Sequence, residues 1–219
     1  MASSAGPGAE FRPRVAMIDY GSGNLRSVEK ALELAGAEVV RVAEASQLSA
    51  CVAVVLPGVG SFGDCARCLA ERGLTEPLRQ WLADDRPYLG ICLGYQILFQ
   101  CSEESPGVDG LGYWPGRVVR FPSAPGLKVP HMGWNDLQWR APDALFSGLD
   151  DPAYVFFVHS FFPVPEDEGL ITASSTHGVA FAAAAGRGRV RGVQFHPEKS
   201  QVTGLRMLGN FVRGLSPGI

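Results

Sequence analysis

Gly90-Ile-Cys92-Leu-Gly94 sets a thiol between two glycines at the point where an apolar strand pattern gives way to a helical one, Gln96-Ile-Leu-Phe99. That spacing matches a nucleophile elbow with cysteine in the serine position. A strained strand-to-helix turn holds the side chain proud of the sheet, and bulk on either side would strike the crossing backbones. A helix behind the thiol would favour its thiolate through the N-terminal dipole. The competing account is a buried structural cysteine flanked by packing glycines. A second group, Gln194-Phe-His196-Pro-Glu198, closes a strand near the C-terminus. A histidine there can exchange a proton with the thiol through one ring nitrogen while the carboxylate two residues on holds the other. The bland alternative is a surface turn in which Pro197 ends the strand and Glu198 is solvated.

A third group is Leu56-Pro-Gly-Val-Gly60-Ser-Phe-Gly63, a glycine-rich turn after an apolar run. Acyl transfer needs two N–H donors for the developing oxyanion, commonly one from the residue after the nucleophile and one from a neighbouring loop. The Leu93 N–H and an N–H from Gly58-Val59-Gly60 suit those roles. The same stretch spells G-x-G-x-x-G, so a dinucleotide-binding module is the rival. That rival requires an acid at the end of the following strand, whereas Tyr88–Ile91 ends in Cys92 and Asp84-Asp85 precede it.

These groups need a scaffold. Val15–Ile18, Glu38–Val42, Val52–Leu56 and Tyr88–Ile91 read as strands. Helical patterns lie between them, with Leu25, Val28, Leu32 and Ala35 on one face of the first, closed by Gly36, and further helices near 64–72 and 75–84. Strands and helices in alternation predict a doubly wound α/β fold with a mostly parallel sheet and ligands at the strand C-termini. Beyond about residue 117 the texture becomes short strands at 118–121, 136–139, 154–158, 179–181 and 191–195, which add an antiparallel hairpin region. A last helix over 203–213 carries Leu205, Leu208, Phe211 and Val212. Residues 1–13 read as a tail and 14–219 as one domain.

Composition narrows the function. Twenty-two acids against 19 bases leave a net charge of −3, which excludes a basic nucleic-acid footprint. No apolar run reaches the roughly 18–20 residues of a spanning helix, and the first residues lack the basic and apolar regions of a signal peptide. Five cysteines, an odd number, argue for reduced thiols and a cytoplasmic protein. Cys65-Ala-Arg-Cys68 is half of a zinc motif with no second half, so no metal is expected. His177, in a Ser/Thr-rich stretch, reads as a solvent-exposed turn residue.

Taken in order, G-x-C-x-G, the glycine-rich segment and H-P-E resemble the class I (triad) glutamine amidotransferases. Within that family, Ile18-Asp-Tyr-Gly-Ser-Gly-Asn-Leu-Arg-Ser-Val28, Pro130-His-Met-Gly-Trp-Asn135 and Val158-His-Ser160 are similar to the glutaminase subunits of imidazole glycerol phosphate synthases of histidine biosynthesis. The resemblance implies a catalytic triad of Cys92, His196 and Glu198 and an oxyanion hole from Gly60 and Leu93. It further implies glutamine contacts at Gly58, Gln96, His159, Ser160 and Phe161, the last standing where relatives often carry tyrosine. Asn24, His131 and Trp134 are then candidates for the face that docks a (β/α)8 cyclase subunit. The implied reaction hydrolyses L-glutamine through a cysteine thioester with no cofactor and passes ammonia to the cyclase. A triad glutaminase of another pathway would share the same catalytic residues.

Overall fold

Val15 and Met17 face one side of strand β1 (Arg14–Ile18) and Ala16 and Ile18 the other, and all four are fully buried. Such a strand must be covered on both faces, and β3 (Ala53–Leu56) and β4 (Tyr88–Ile91) are equally enclosed. A computed structural model shows how this is done and describes residues 12–21 and 25–215. Of the expected tail, residues 1–11 lie outside that range. Pro13 is already tied to the sheet, its carbonyl accepting the Glu38 N–H at 2.9 Å.

β1 pairs in parallel with β2 (Glu38–Val42) and β3, β3 with β4, and β4 with β12 (Val190–Val193). Helix α1 (Leu25–Leu34) and the last helix, α5 (Gln201–Arg213), pack on one face with Val15, Met17, Val55 and Ile91. Helices α2 (Phe62–Glu71) and α3 (Thr75–Ala83) cover the other with Ala16, Ile18, Val54 and Leu56. This is the doubly wound arrangement that the alternating pattern predicts. Gly36, at φ +98°, ends α1 in the left-handed region as a C-terminal glycine should.

Beyond β12 the sheet continues antiparallel through β11 (Val179–Arg187), β10 (Ile171–His177), β7 (His131–Trp139) and β8 (Ala153–His159), nine strands in all. A separate three-stranded sheet holds β5 (Phe99–Ser102), β6 (Trp114–Arg120) and β9 (Phe161–Pro165). Several expectations need correction here. The helical pattern after Cys92 lasts one turn, α4 (Leu93–Gln96), before the chain enters β5. The sequence of β9 carries no strand signal because its two prolines argue against one, and it sits at a sheet edge where a missing N–H is tolerated. β10 reads Ile-Thr-Ala-Ser-Ser-Thr-His, too polar to predict, yet it lies between β7 and β11 with Thr172 through Ser175 buried. Leu205 is 41% exposed, so the buried stripe of α5 is Gly204, Met207, Leu208, Gly209, Phe211 and Val212.

Candidate active site

The sharp bend at the end of β4 explains both glycines of the cysteine motif. Cys92 adopts φ +54° and ψ −103°, a conformation most L-residues avoid. A Cβ on Gly90 would lie 2.2 Å from the Gly94 carbonyl oxygen, and one on Gly94 would lie 1.7 Å from the Leu56 carbonyl oxygen. No side chain fits at either place. Strand β3, turn and β4 can therefore approach closely enough to bring Gly58 and Gly60 beside Cys92.

His196 follows β12, the neighbour of β4 in the sheet, and this adjacency closes a separation of 104 positions between histidine and cysteine. Its N–H donates to the Phe156 carbonyl at 2.9 Å, the Phe156 N–H donates to Ser200 Oγ at 3.0 Å, and Ser200 Oγ–H donates to the His196 carbonyl at 2.7 Å. These bonds clamp the turn carrying His196 to strand β8. His196 Nδ1 bonds Glu198 Oε1 at 2.9 Å, with the two side chains 3% and 2% exposed. The histidine Nε2 is buried with no hydrogen-bond partner of good geometry, and Cys92 is the acidic group acting on it. Burial opposes charging the ring, but Cys92 and Glu198 overcome it and push the pKa up to about 10. The arrangement therefore favours a protonated imidazole beside the Cys92 sulfur. The helix expected behind the thiol lasts only one turn, so α4 adds little dipole there.

Gly58, Val59, Gly60, Cys92, Leu93, Gln96, Glu104, Pro130, Val158, His159, Ser160, Phe161 and His196 line one cavity of about 310 Å³. Each residue expected to form the triad, the oxyanion hole and the glutamine site is in or against it, Glu198 standing behind His196. Gly60 holds φ +110°, a conformation closed to β-branched residues. Gly58 cannot carry a side chain, because a Cβ would come within 2.5 Å of the Tyr20 hydroxyl and 2.7 Å of Leu93 Cβ. Leu93 opens α4, where backbone N–H groups lack helical partners. Glu104 is an addition that no motif flagged; its Oε2 accepts the Phe62 N–H at 2.7 Å, and it brings a carboxylate to the cavity wall.

The interface candidates separate. Trp134 is 47% exposed on the outer face of β7, beside Met132 at 65% and Tyr154 at 54% on β8. His131 faces the opposite side and is buried, its ring stacked on Phe157 and on His177, so it cannot touch a partner directly. Asn24 lies outside the described residues. His177 is no free turn residue either, for it ends β10 and its Nε2 bonds the Lys128 carbonyl at 2.8 Å. Burial holds His131 and His159 down to about 4 and about 3, so both are neutral near pH 7.

The sequence matches the glutamine amidotransferase class-I family over residues 16–215. The chain belongs to that family. It is 47% identical over 197 residues to the imidazole glycerol phosphate synthase subunit HisH of Desulfitobacterium hafniense, covering 90% of this chain and 92% of that one. Against the protein of the same name from Geobacter metallireducens it is 47% identical over 202 residues, 90% and 96% of the two chains. A Synechococcus relative of that name is 48% identical over 201 residues, 91% and 93%. Among solved structures, that of PurLQS from Thermotoga maritima superposes with a TM-score of 0.74 at 21% identity, covering 94% of this chain and all of that one. At that identity the likeness establishes the fold. No helix among the described residues is long and apolar enough to cross a membrane.

Proposed function

We propose that this amidotransferase is the glutaminase subunit of an imidazole glycerol phosphate synthase, releasing ammonia from L-glutamine for a cyclase partner. The observation that carries the chemistry is an elbow cysteine sharing one small cavity with an imidazole whose far nitrogen is held by Glu198 at 2.9 Å. The pathway rests on relatives of that name at 47–48% identity. A cavity of about 310 Å³ lies at the small end of ligand sites, which suits an amino acid.

In this scheme the Cys92 thiolate attacks the side-chain amide carbon of glutamine and forms a C–S bond. The carbonyl oxygen takes the negative charge, stabilised by the N–H groups of Leu93 and Gly60. His196 gives its proton to the amide nitrogen, the C–N bond breaks and ammonia departs, leaving a γ-glutamyl thioester. Neutral His196 then takes a proton from water, whose oxygen attacks the thioester carbon. The Cys92 thiolate leaves, glutamate is released, and the imidazolium is restored. Glu198 holds the ring orientation through both half-reactions. Gln96 and the backbone of His159, Ser160 and Phe161 position the substrate, with Glu104 available to its α-ammonium group.

Ammonia in neutral water is protonated and no longer a nucleophile, so a partner must receive it directly. Met132, Trp134 and Tyr154 form an exposed apolar patch on the edge pair β7–β8, the kind of surface that marks a protein interface. Lys199, just past the triad turn, sits 5.9 Å over the Phe156 ring on the same strand pair. This patch is where we place the (β/α)8 cyclase. The test mixes the chain with a cyclase subunit and measures glutamate release and synthase turnover. Cys92→Ala should abolish glutamate formation while ammonium salts still support the cyclase reaction. Appreciable glutamine hydrolysis by that variant refutes the nucleophile assignment. Normal assembly of a Trp134→Asp variant refutes the docking face.

A further inference from the structure

Gln194, two residues before His196, is fully buried, and its side-chain amide lies against the nucleophile, with Nε2 3.5 Å from Cys92 Sγ. Which end of an amide faces a neighbour is decided by its hydrogen bonds. Here the decision starts at the Phe161 carbonyl, which can only accept. Gln96 approaches that oxygen at 2.8 Å, so it must present its NH₂ group. The same Gln96 nitrogen lies 3.1 Å from Gln194, which must answer with its carbonyl oxygen. The Gln194 NH₂ is then left facing the sulfur. The other side of the Phe161 carbonyl is fixed by the same logic. His159 Nδ1 donates to it at 2.9 Å, His131 Nδ1 donates to His159 Nε2 at 3.2 Å, and Asn135 Nδ2 reaches His131 Nε2 at 3.3 Å. Both histidines are neutral, so each can donate from one ring nitrogen and accept at the other. Every member of this buried chain has one orientation available.

We propose that Gln194 is a catalytic residue of the glutaminase reaction, donating its amide N–H to the Cys92 sulfur and stabilising the thiolate. The proposal rests on the assignment of Cys92 as nucleophile. An N–H donor favours the charged form of its acceptor, so it enlarges the reactive fraction before attack. It also stabilises the sulfur as leaving group when the thioester breaks. Thiolate nucleophilicity falls as basicity falls, with a coefficient of about 0.4–0.5, so acylation keeps part of the gain while thioester breakdown benefits directly. His196 approaches the sulfur as a cation and Gln194 as a neutral dipole, so the two act together without competing for charge.

The test uses Gln194→Glu and Gln194→Leu in the full chain. Glutamate keeps the shape and still accepts from Gln96, which guards against a folding defect, but it cannot donate when ionised. Iodoacetamide is reacted with each protein across pH, and alkylation of the Cys92 peptide is followed by mass spectrometry, which separates it from the exposed Cys101 and half-buried Cys68. His196, Glu198, His159 and Glu104, the other titratable groups of the cavity, are unchanged in both variants. The profile should move to higher pH by about one unit, a tenfold loss of thiolate at fixed pH, and further for glutamate than for leucine. The kcat for glutamate release should fall while KM changes little. An alkylation profile that coincides with wild type in the folded Gln194→Glu protein overturns the proposal. Alkylation needs no glutamine, so the two readings fail separately. A wild type that does not hydrolyse glutamine defeats the proposed function alone. A wild type that does, with an unmoved variant profile, defeats the role of Gln194 alone.

Discussion

Gly204 sits in α5, a helix where alanine would ordinarily be better by about 1 kcal/mol. Its surroundings reverse that expectation. A Cβ at this position would lie 1.9 Å from the Pro197 carbonyl oxygen and 2.8 Å from Pro197 Cα. A tolerable C···O contact is about 3.3 Å, so helix or turn must give by ~1.4 Å. The turn cannot move freely, because His196 and Ser200 on either side of Pro197 are bonded to strand β8 through Phe156. Gly204→Ala therefore exchanges about 1 kcal/mol of helix propensity for an overpacking cost of about 1–3 kcal/mol. Whatever displacement remains falls on His196 and Glu198, where a 1 Å error in position can cost ~10² in rate. The assay is thermal unfolding together with glutamate release by the chain in complex with a cyclase subunit. We expect a modestly lowered Tm and kcat reduced by about 10²-fold with KM near wild type. A Gly204→Ala protein with a raised Tm and unchanged kcat would refute the claim that helix α5 sets the position of the triad turn.

With the His196 pKa raised to about 10, activity should persist to alkaline pH and fall as that proton is lost, and Glu198→Gln should bring the falling limb down by about 1–3 pH units. The same ionisation stabilises the fold fully below pH 6.5, and that contribution drains away as pH rises toward about 10, which denaturant titrations across pH can follow. His131 and His159 act in the opposite direction. Between pH 6.5 and about 3–4 the unfolded chain binds their protons and the folded one does not, so stability should fall with acidification, and His131→Phe should flatten that fall in a pH series of melts. Gly60→Val, forced out of φ +110°, should misplace one oxyanion donor and lower kcat about 10²–10³-fold while Cys92 alkylation remains normal.

Local chemistry determined a large share of this protein directly from its sequence. The parallel half of the sheet was legible because Val15–Ile18, Val52–Leu56 and Tyr88–Ile91 are apolar on both faces and separated by amphipathic helices. The elbow was legible because its constraint is short-range, Gly90 and Gly94 being pressed against each other's turn and the Leu56 backbone. A strand such as β10 carries no such signal, since its polar side chains are buried by neighbours far away in the chain. Only the tertiary structure could decide that His131 turns inward while Trp134 remains exposed, because β7 alternates regardless of which face β10 and the aromatic cluster will cover. The same holds for the pairing of β12 with β4, which brings His196 to Cys92 and turns a weakly basic imidazole into a cation. Gln194 and Gly204 belong to this second group as well. One is a polar residue in the bend just past β12 and the other a glycine in a helix, and their meaning lies in the single atoms they meet across the fold, the Cys92 sulfur and the Pro197 carbonyl oxygen.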